Sequence, residues 1–197
     1  MKAYKIYASL FYHITRRQRR NMKNISTLLV LVVMVIIIGT APAACSSNEE
    51  VAKPMDEVLK ADSRNAGVGM AAYYGKSNTV LVLDMKSIDS TKSTADVFRV
   101  LLQYAAKVKD KTFDHVELAV KGKTKFSLKG DFFHKLGIEY GSQNPVYTMR
   151  TFPQNVFKPD GTNAFPTWTG GLLGVTNKQM EDFKQFHMQW YITELIQ

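Results

Sequence analysis

The sequence predicts an α+β fold: a single-domain sandwich in which a mixed, mainly antiparallel sheet of about five strands packs against two longer helices and one short helix. Three observations carry this expectation. "NTVLVLDM" is a continuous apolar run rich in β-branched residues, as a strand buried on both faces requires. "STADVFRVLLQYAAKV" repeats its apolar residues at helical spacing. "HVELAVKGKTKFSLKG" alternates apolar and polar residues around a Gly-Lys pair, the pattern of a hairpin.

Taken in order, "VGMAAYY" pairs with the apolar run at 79–85 through the turn "GKSN". The first helix has Ser93 as its N-cap and Asp96 in its first turn, and Val97, Leu101, Tyr104, Ala105 and Val108 form its buried stripe. The hairpin turns at Gly122–Lys123, with Val116, Leu118 and Val120 facing inward on one strand and Phe126 and Leu128 on the other. "DFFHKLG" reads as a short helix stopped by Gly137, and "PVYTMRTF" as a further strand. Thr176–x–x–Gln179 is the capping box of a last helix reaching about Leu195, with Met180, Phe183, His187, Trp190 and Tyr191 as its buried stripe.

The charge is divided unevenly. The chain of 197 residues has 26 Lys+Arg against 17 Asp+Glu, for a net +9. Seven of those basic residues and none of the acids fall in residues 1–44, so the remainder carries only about +2. The folded part lacks the basic footprint that nucleic-acid binding needs, and no nucleic-acid partner is expected.

Residues 1–44 have the three parts of a secretory signal: the basic "TRRQRRNMK", an unbroken apolar run of 11 residues from Leu28 to Ile38, and the small residues "GTAPAA". Counting from Met22 gives an ordinary leader length, so 1–21 reads as an upstream extension or a misassigned start. The run is short for a membrane span, which asks for about 20 residues.

"PAAC", at the exit of this run, resembles the lipobox of bacterial lipoproteins. Pro42 stands where Leu, Val or Ile is usual, and ordinary cleavage after Ala43, with "APA" as A-x-A, is the rival reading. The resemblance implies cleavage before Cys45, acylation of its sulfur and new amino group by palmitate-type chains, and a mature protein held on a bacterial membrane. Ser46 resembles the sorting pattern for the periplasmic face of the outer membrane, if the host has two membranes. Physically, two or three acyl chains anchor firmly where one binds marginally. Cys45 is the single cysteine of the chain, so no disulfide competes for it.

Residues 45–66 are polar and charged and read as a flexible tether, with at most a frayed helical turn around Met55–Leu59; 67–197 are then the globular domain. Residues 66–197 are expected to fold alone, as a soluble monomer without disulfides.

Chemical motifs are sparse. His115, His134 and His187 stand apart from one another, so no metal site or other cofactor is expected. No G-x-S-x-G elbow occurs. Asp84, at the end of a buried strand, supports the alternative of a small periplasmic hydrolase pairing it with a histidine. Two surfaces are candidates for a ligand or partner. Lys121, Lys123 and Lys125 form a ridge on the hairpin that suits an anionic target or, more simply, a solvated edge. The irregular stretch 152–175 carries Phe157, Phe165 and Trp168, which suit an aromatic platform for an envelope glycan or protein, or else a lid on the core. The expectation is a lipid-anchored cell-envelope protein acting as a non-enzymatic binding or accessory module.

Overall fold

The computed structural model describes residues 44–196, and the leader at 1–43 lies outside the described residues. Five strands form one sheet in the order β1 (Val68–Tyr74), β2 (Val80–Ile88), β3 (His115–Val120), β4 (Lys123–Lys129), β5 (Val156–Phe157). All neighbouring pairs are antiparallel except β2 and β3, which are parallel because a helix crosses between them. This is the α+β class with a mixed, mainly antiparallel sheet that the sequence predicts.

The described residues begin with a helix, which corrects the tether expected at 45–66. Helix α1 (Ala44–Ala61) buries Val51, Met55 and Val58, spaced i, i+4, i+7 along one face. From Asn48 onward it is docked. The Tyr104 hydroxyl donates to the Val51 carbonyl (3.0 Å), the Tyr74 N–H to Asn48 Oδ1 (2.8 Å), and Glu50 and Glu57 pair with Lys111 and Lys107. The domain therefore starts near Ala44 rather than at residue 67.

Helix α2 (Thr94–Lys107) opens on a reciprocal capping box between Ser93 and Asp96, and its five expected stripe residues are all buried. The hairpin turns one residue earlier than expected, with Lys121 and Gly122 both at positive φ, as a two-residue turn requires. Helix α3 (Gly130–Glu139) runs past Gly137 instead of stopping there. A Cβ at Gly137 would lie 2.4 Å from the Ala105 carbonyl oxygen, so the glycine lets α2 and α3 pack closely.

"PVYTMRTF" is not a strand. Pro145–Thr151 form helix α4, with Asn144 capping the Val146 N–H and Pro145 in the first turn, where its missing donor costs nothing. The last helix, α5 (Leu172–His187), starts a turn before the expected box, at Gly171, so Thr176 is interior. It continues through a π-helical turn (Met188–Ile192) into Thr193–Leu195. Its buried stripe is Gln179, Phe183, Phe186, His187, Trp190 and Tyr191, while Met180 is 36% exposed. The Trp190 indole N–H donates to the Ala119 carbonyl (2.9 Å), fastening this helix to β3.

The core lies on one face of the sheet, where Leu81, Leu83, Met85, Val116, Leu118 and Phe126 meet the helices. By strand alternation, Tyr73, Val82, Asp84 and Glu117 share the opposite face. Among the described residues no helix is long and apolar enough to cross a membrane.

Candidate functional site

The stretch 152–175 is more ordered than its composition suggests, and its aromatics part company. Phe152 is fully buried, its ring about 5 Å from those of Phe98 and Phe186. Phe157 is half-buried in β5, below the Lys129 ammonium. Phe165 is buried against Phe126, so it serves the core and cannot join an exposed platform. Trp168 is half-buried; its indole N–H donates to Asp182 (2.6 Å) and the Lys178 ammonium sits 4.1 Å from its ring centre. Trp168→Ala is expected to lower stability by about 1–3 kcal/mol, since a charge-assisted hydrogen bond and a cation–π contact are lost without opening the core. A urea melt distinguishes this from the larger loss of a core lid.

The lysine ridge is partly consumed internally. Lys121 donates to the Glu194 carbonyl (2.8 Å) and Lys125 to the Glu194 carboxylate (2.5 Å), while Lys123 is exposed. The hydrogen bond and charge of Lys125 hold the Glu194 carboxyl below its usual range. Two of the three lysines thus fasten the end of the chain.

Asp84 is fully buried and accepts from the Tyr73 hydroxyl (3.1 Å), the Gly122 N–H (3.0 Å) and the Lys86 ammonium. Burial, and then the Asp84 charge, push the Tyr73 hydroxyl up to about 12. No histidine is among the partners of Asp84. His115 faces Glu117 (3.7 Å), His134 is exposed on α3, and His187 packs among core aromatics across the sheet. Among the described residues no group of three or more His, Cys, Asp or Glu could hold a metal ion.

The structure instead assembles a cleft of about 430 Å³ that the sequence reading missed. Its walls are one side of α2 (Ala95, Phe98, Leu102), the end of α3 (Leu136, Tyr140) and α4 (Pro145, Met149). Arg64 and Arg99 stand at its mouth. Arg99 is held in one orientation: Nε donates to Asn65 Oδ1 (3.2 Å), Nη1 to Asp96 Oδ1 (2.9 Å) and Nη2 to the Arg64 carbonyl (2.8 Å). Buried Asn65 is fixed in turn by the Val58 carbonyl and Gln103.

The acids here are already engaged. Asp62 accepts a forked pair from Arg64 (2.6 and 2.9 Å) and a bond from Gln103, which hold its carboxyl far below the usual range. Asp96 is lowered to about 2, first by the Ser93 backbone and hydroxyl and then by Arg99. Four of the eight exposed large apolar side chains among the described residues, Ile138, Tyr140, Val146 and Tyr147, lie on the two segments bordering this cleft. Of these, Tyr140 lines the cleft and Tyr147 a neighbouring hollow, so exposed apolar surface borders the concavity, as at ligand or partner sites.

No known family, curated protein or solved structure matches this chain.

Proposed function

We propose that this protein is a lipid-anchored binding module of the bacterial cell envelope, held by acylated Cys45 and receiving its ligand in the cleft between α2, α3 and α4. In a host with two membranes the anchor lies in the periplasmic face of the outer membrane. The observation that carries the binding role is the cleft: a mostly apolar concavity with two fixed guanidinium groups at its mouth. Most small-molecule sites share this plan of apolar walls and a few convergent polar groups.

The anchor is supported by the basic flank, apolar run and "PAAC" of the sequence, and the docking of α1 gives it a spatial consequence. Attachment at Cys45 joins the first turn of a docked helix. That helix runs antiparallel to α2, from Glu50 beside Lys111 to Asp62 beside Gln103. Sixteen rises of ~1.5 Å, from Cys45 to Ala61, separate the attachment point from the cleft end by about 24 Å. The cleft therefore lies by the end of α1 that is remote from the anchor.

Two readouts on the chain test this. Expressed with its leader, the protein is expected to yield a mature form that begins at Cys45, carries acyl mass and partitions into detergent. An unmodified N-terminus at Ala44 overturns the anchor. Unacylated residues 45–197 are expected to bind the neutral apolar dye Nile red saturably. Ala95→Trp, which adds bulk at an exposed position of the cleft wall, is expected to weaken that binding with an unchanged melt. An identical titration for both proteins overturns the cleft.

A further inference from the structure

Resting on the reading of the cleft as a ligand site, we infer that its ligand is a single-chain amphiphile with a carboxylate head, a free fatty acid of medium length. Size, wall chemistry and the hydrogen bonds left over at the mouth each point the same way.

The volume of about 430 Å³ lies at the small end of ligand sites, which span about 300–1,000 Å³, so it suits one chain and not a two-chain lipid. Phe98, Leu102, Leu136 and Met149 supply the apolar contacts that a chain needs.

The mouth selects the head group. A guanidinium has five N–H donors, and Asn65, Asp96 and the Arg64 carbonyl take three of those of Arg99. Two remain on a side chain that is 20% exposed and cannot turn away without breaking those three bonds. Gln143, also lining the cleft, uses its side-chain oxygen to accept the Asn144 N–H (2.9 Å), which leaves its amide N–H groups to donate.

The carboxylates are paired: Asp62 with Arg64, Asp96 with Arg99, and Glu139 with Lys135 (3.7 Å). Of the charged residues that line the cleft, two are cations, Arg64 and Arg99, against one anion, Glu139, and Arg99 and Gln143 supply its spare side-chain donors. An acceptor anion fits this arrangement; an alcohol gains less from it, and an ammonium is repelled. A planar carboxylate matches the forked donors of arginine best.

Chain-matched decanoate, decanol and decylamine displacing Nile red from unacylated residues 45–197 decide the matter. Decanoate is expected to displace the dye at about tenfold lower concentration than either of the others, in keeping with a charge-assisted contact. Arg99→Gln is expected to bring decanoate to the level of decanol while dye binding persists. Should that variant melt early, Arg64→Gln, at a largely exposed side chain, is expected to reduce the preference on an intact fold. Equal displacement by all three compounds from the parent overturns the carboxylate inference and leaves the cleft standing. Absence of saturable dye binding, with no effect of Ala95→Trp, overturns the cleft itself.

Discussion

Residues 66–197 alone are expected to show no cooperative unfolding transition, whereas residues 45–197 melt sharply. Helix α1 places Val51, Met55 and Val58 in the same core as the sheet. Burying such side chains contributes about 1.5–3 kcal/mol each, or roughly 5–9 kcal/mol together. That is comparable with the entire net stability of an ordinary domain, about 5–15 kcal/mol. Polar costs add to the loss. Without α1 the Tyr104 hydroxyl has no Val51 carbonyl, and the Asn65 amide loses the Val58 carbonyl that fixes it beside Arg99. Circular dichroism melts of the two fragments make the comparison. A sharp transition in 66–197 within a few degrees of the longer fragment would return residues 45–61 to the role of a tether.

What the sequence made legible was local and repeated. Strand β2 declared itself by six consecutive residues, Val80 to Met85, that are all buried, and α2 by a stripe with a capping pair at its head. The failures were weak local signals overruled by packing. In α1 the stripe is only three residues among charges, with Pro54 in its middle, so composition pointed to disorder while the Tyr104 side of the core pointed to helix. In α4 the alternation of "PVYTMRTF" outweighed Asn144-Pro145, a cap and first-turn pair that decides the local conformation. Thr176 and Gln179 looked like a box, but Gln179 accepts from Arg150 Nε (3.1 Å) across to α4. The cleft was illegible for a different reason. Arg64, Arg99, Leu136 and Met149 meet only after α1, α3 and α4 have packed on α2, and no motif spans those separations. The one clue in the chain was Arg99, a long cation three residues after Asp96, interrupting the apolar side of α2.

Acidification is expected to destabilise the protein well above the range where carboxylates titrate, and His187 is the cause. Its ring is fully buried among Phe98, Phe183, Phe186, Trp190 and Tyr191, and neither ring nitrogen has a hydrogen-bond partner among the described residues. The titratable neighbours offer no relief. The Tyr191 hydroxyl is also buried and unpartnered, and Asp96 bears on Tyr191 rather than on the imidazole. Burial alone lowers the His187 pKa from 6.5 to about 3. In the unfolded chain the imidazole takes up its proton near pH 6.5, whereas the folded protein refuses it until about pH 3. The unfolded state therefore binds more protons throughout that window, and stability falls as pH falls. By pH 4.5 the loss is about 3 kcal/mol, or roughly 6–12 °C of melting temperature for a domain of this size. Carboxylates such as Asp96, held low in the folded state, add their own loss below about pH 4. His187→Leu removes the titrating group and an unsatisfied polar ring of similar bulk. The variant is expected to be at least as stable as the parent at pH 7.5 and to hold that stability down to pH 4.5. Parallel pH profiles for the two proteins would mean that the imidazole finds a partner or water in the folded state, and that the aromatic cage around it is not closed.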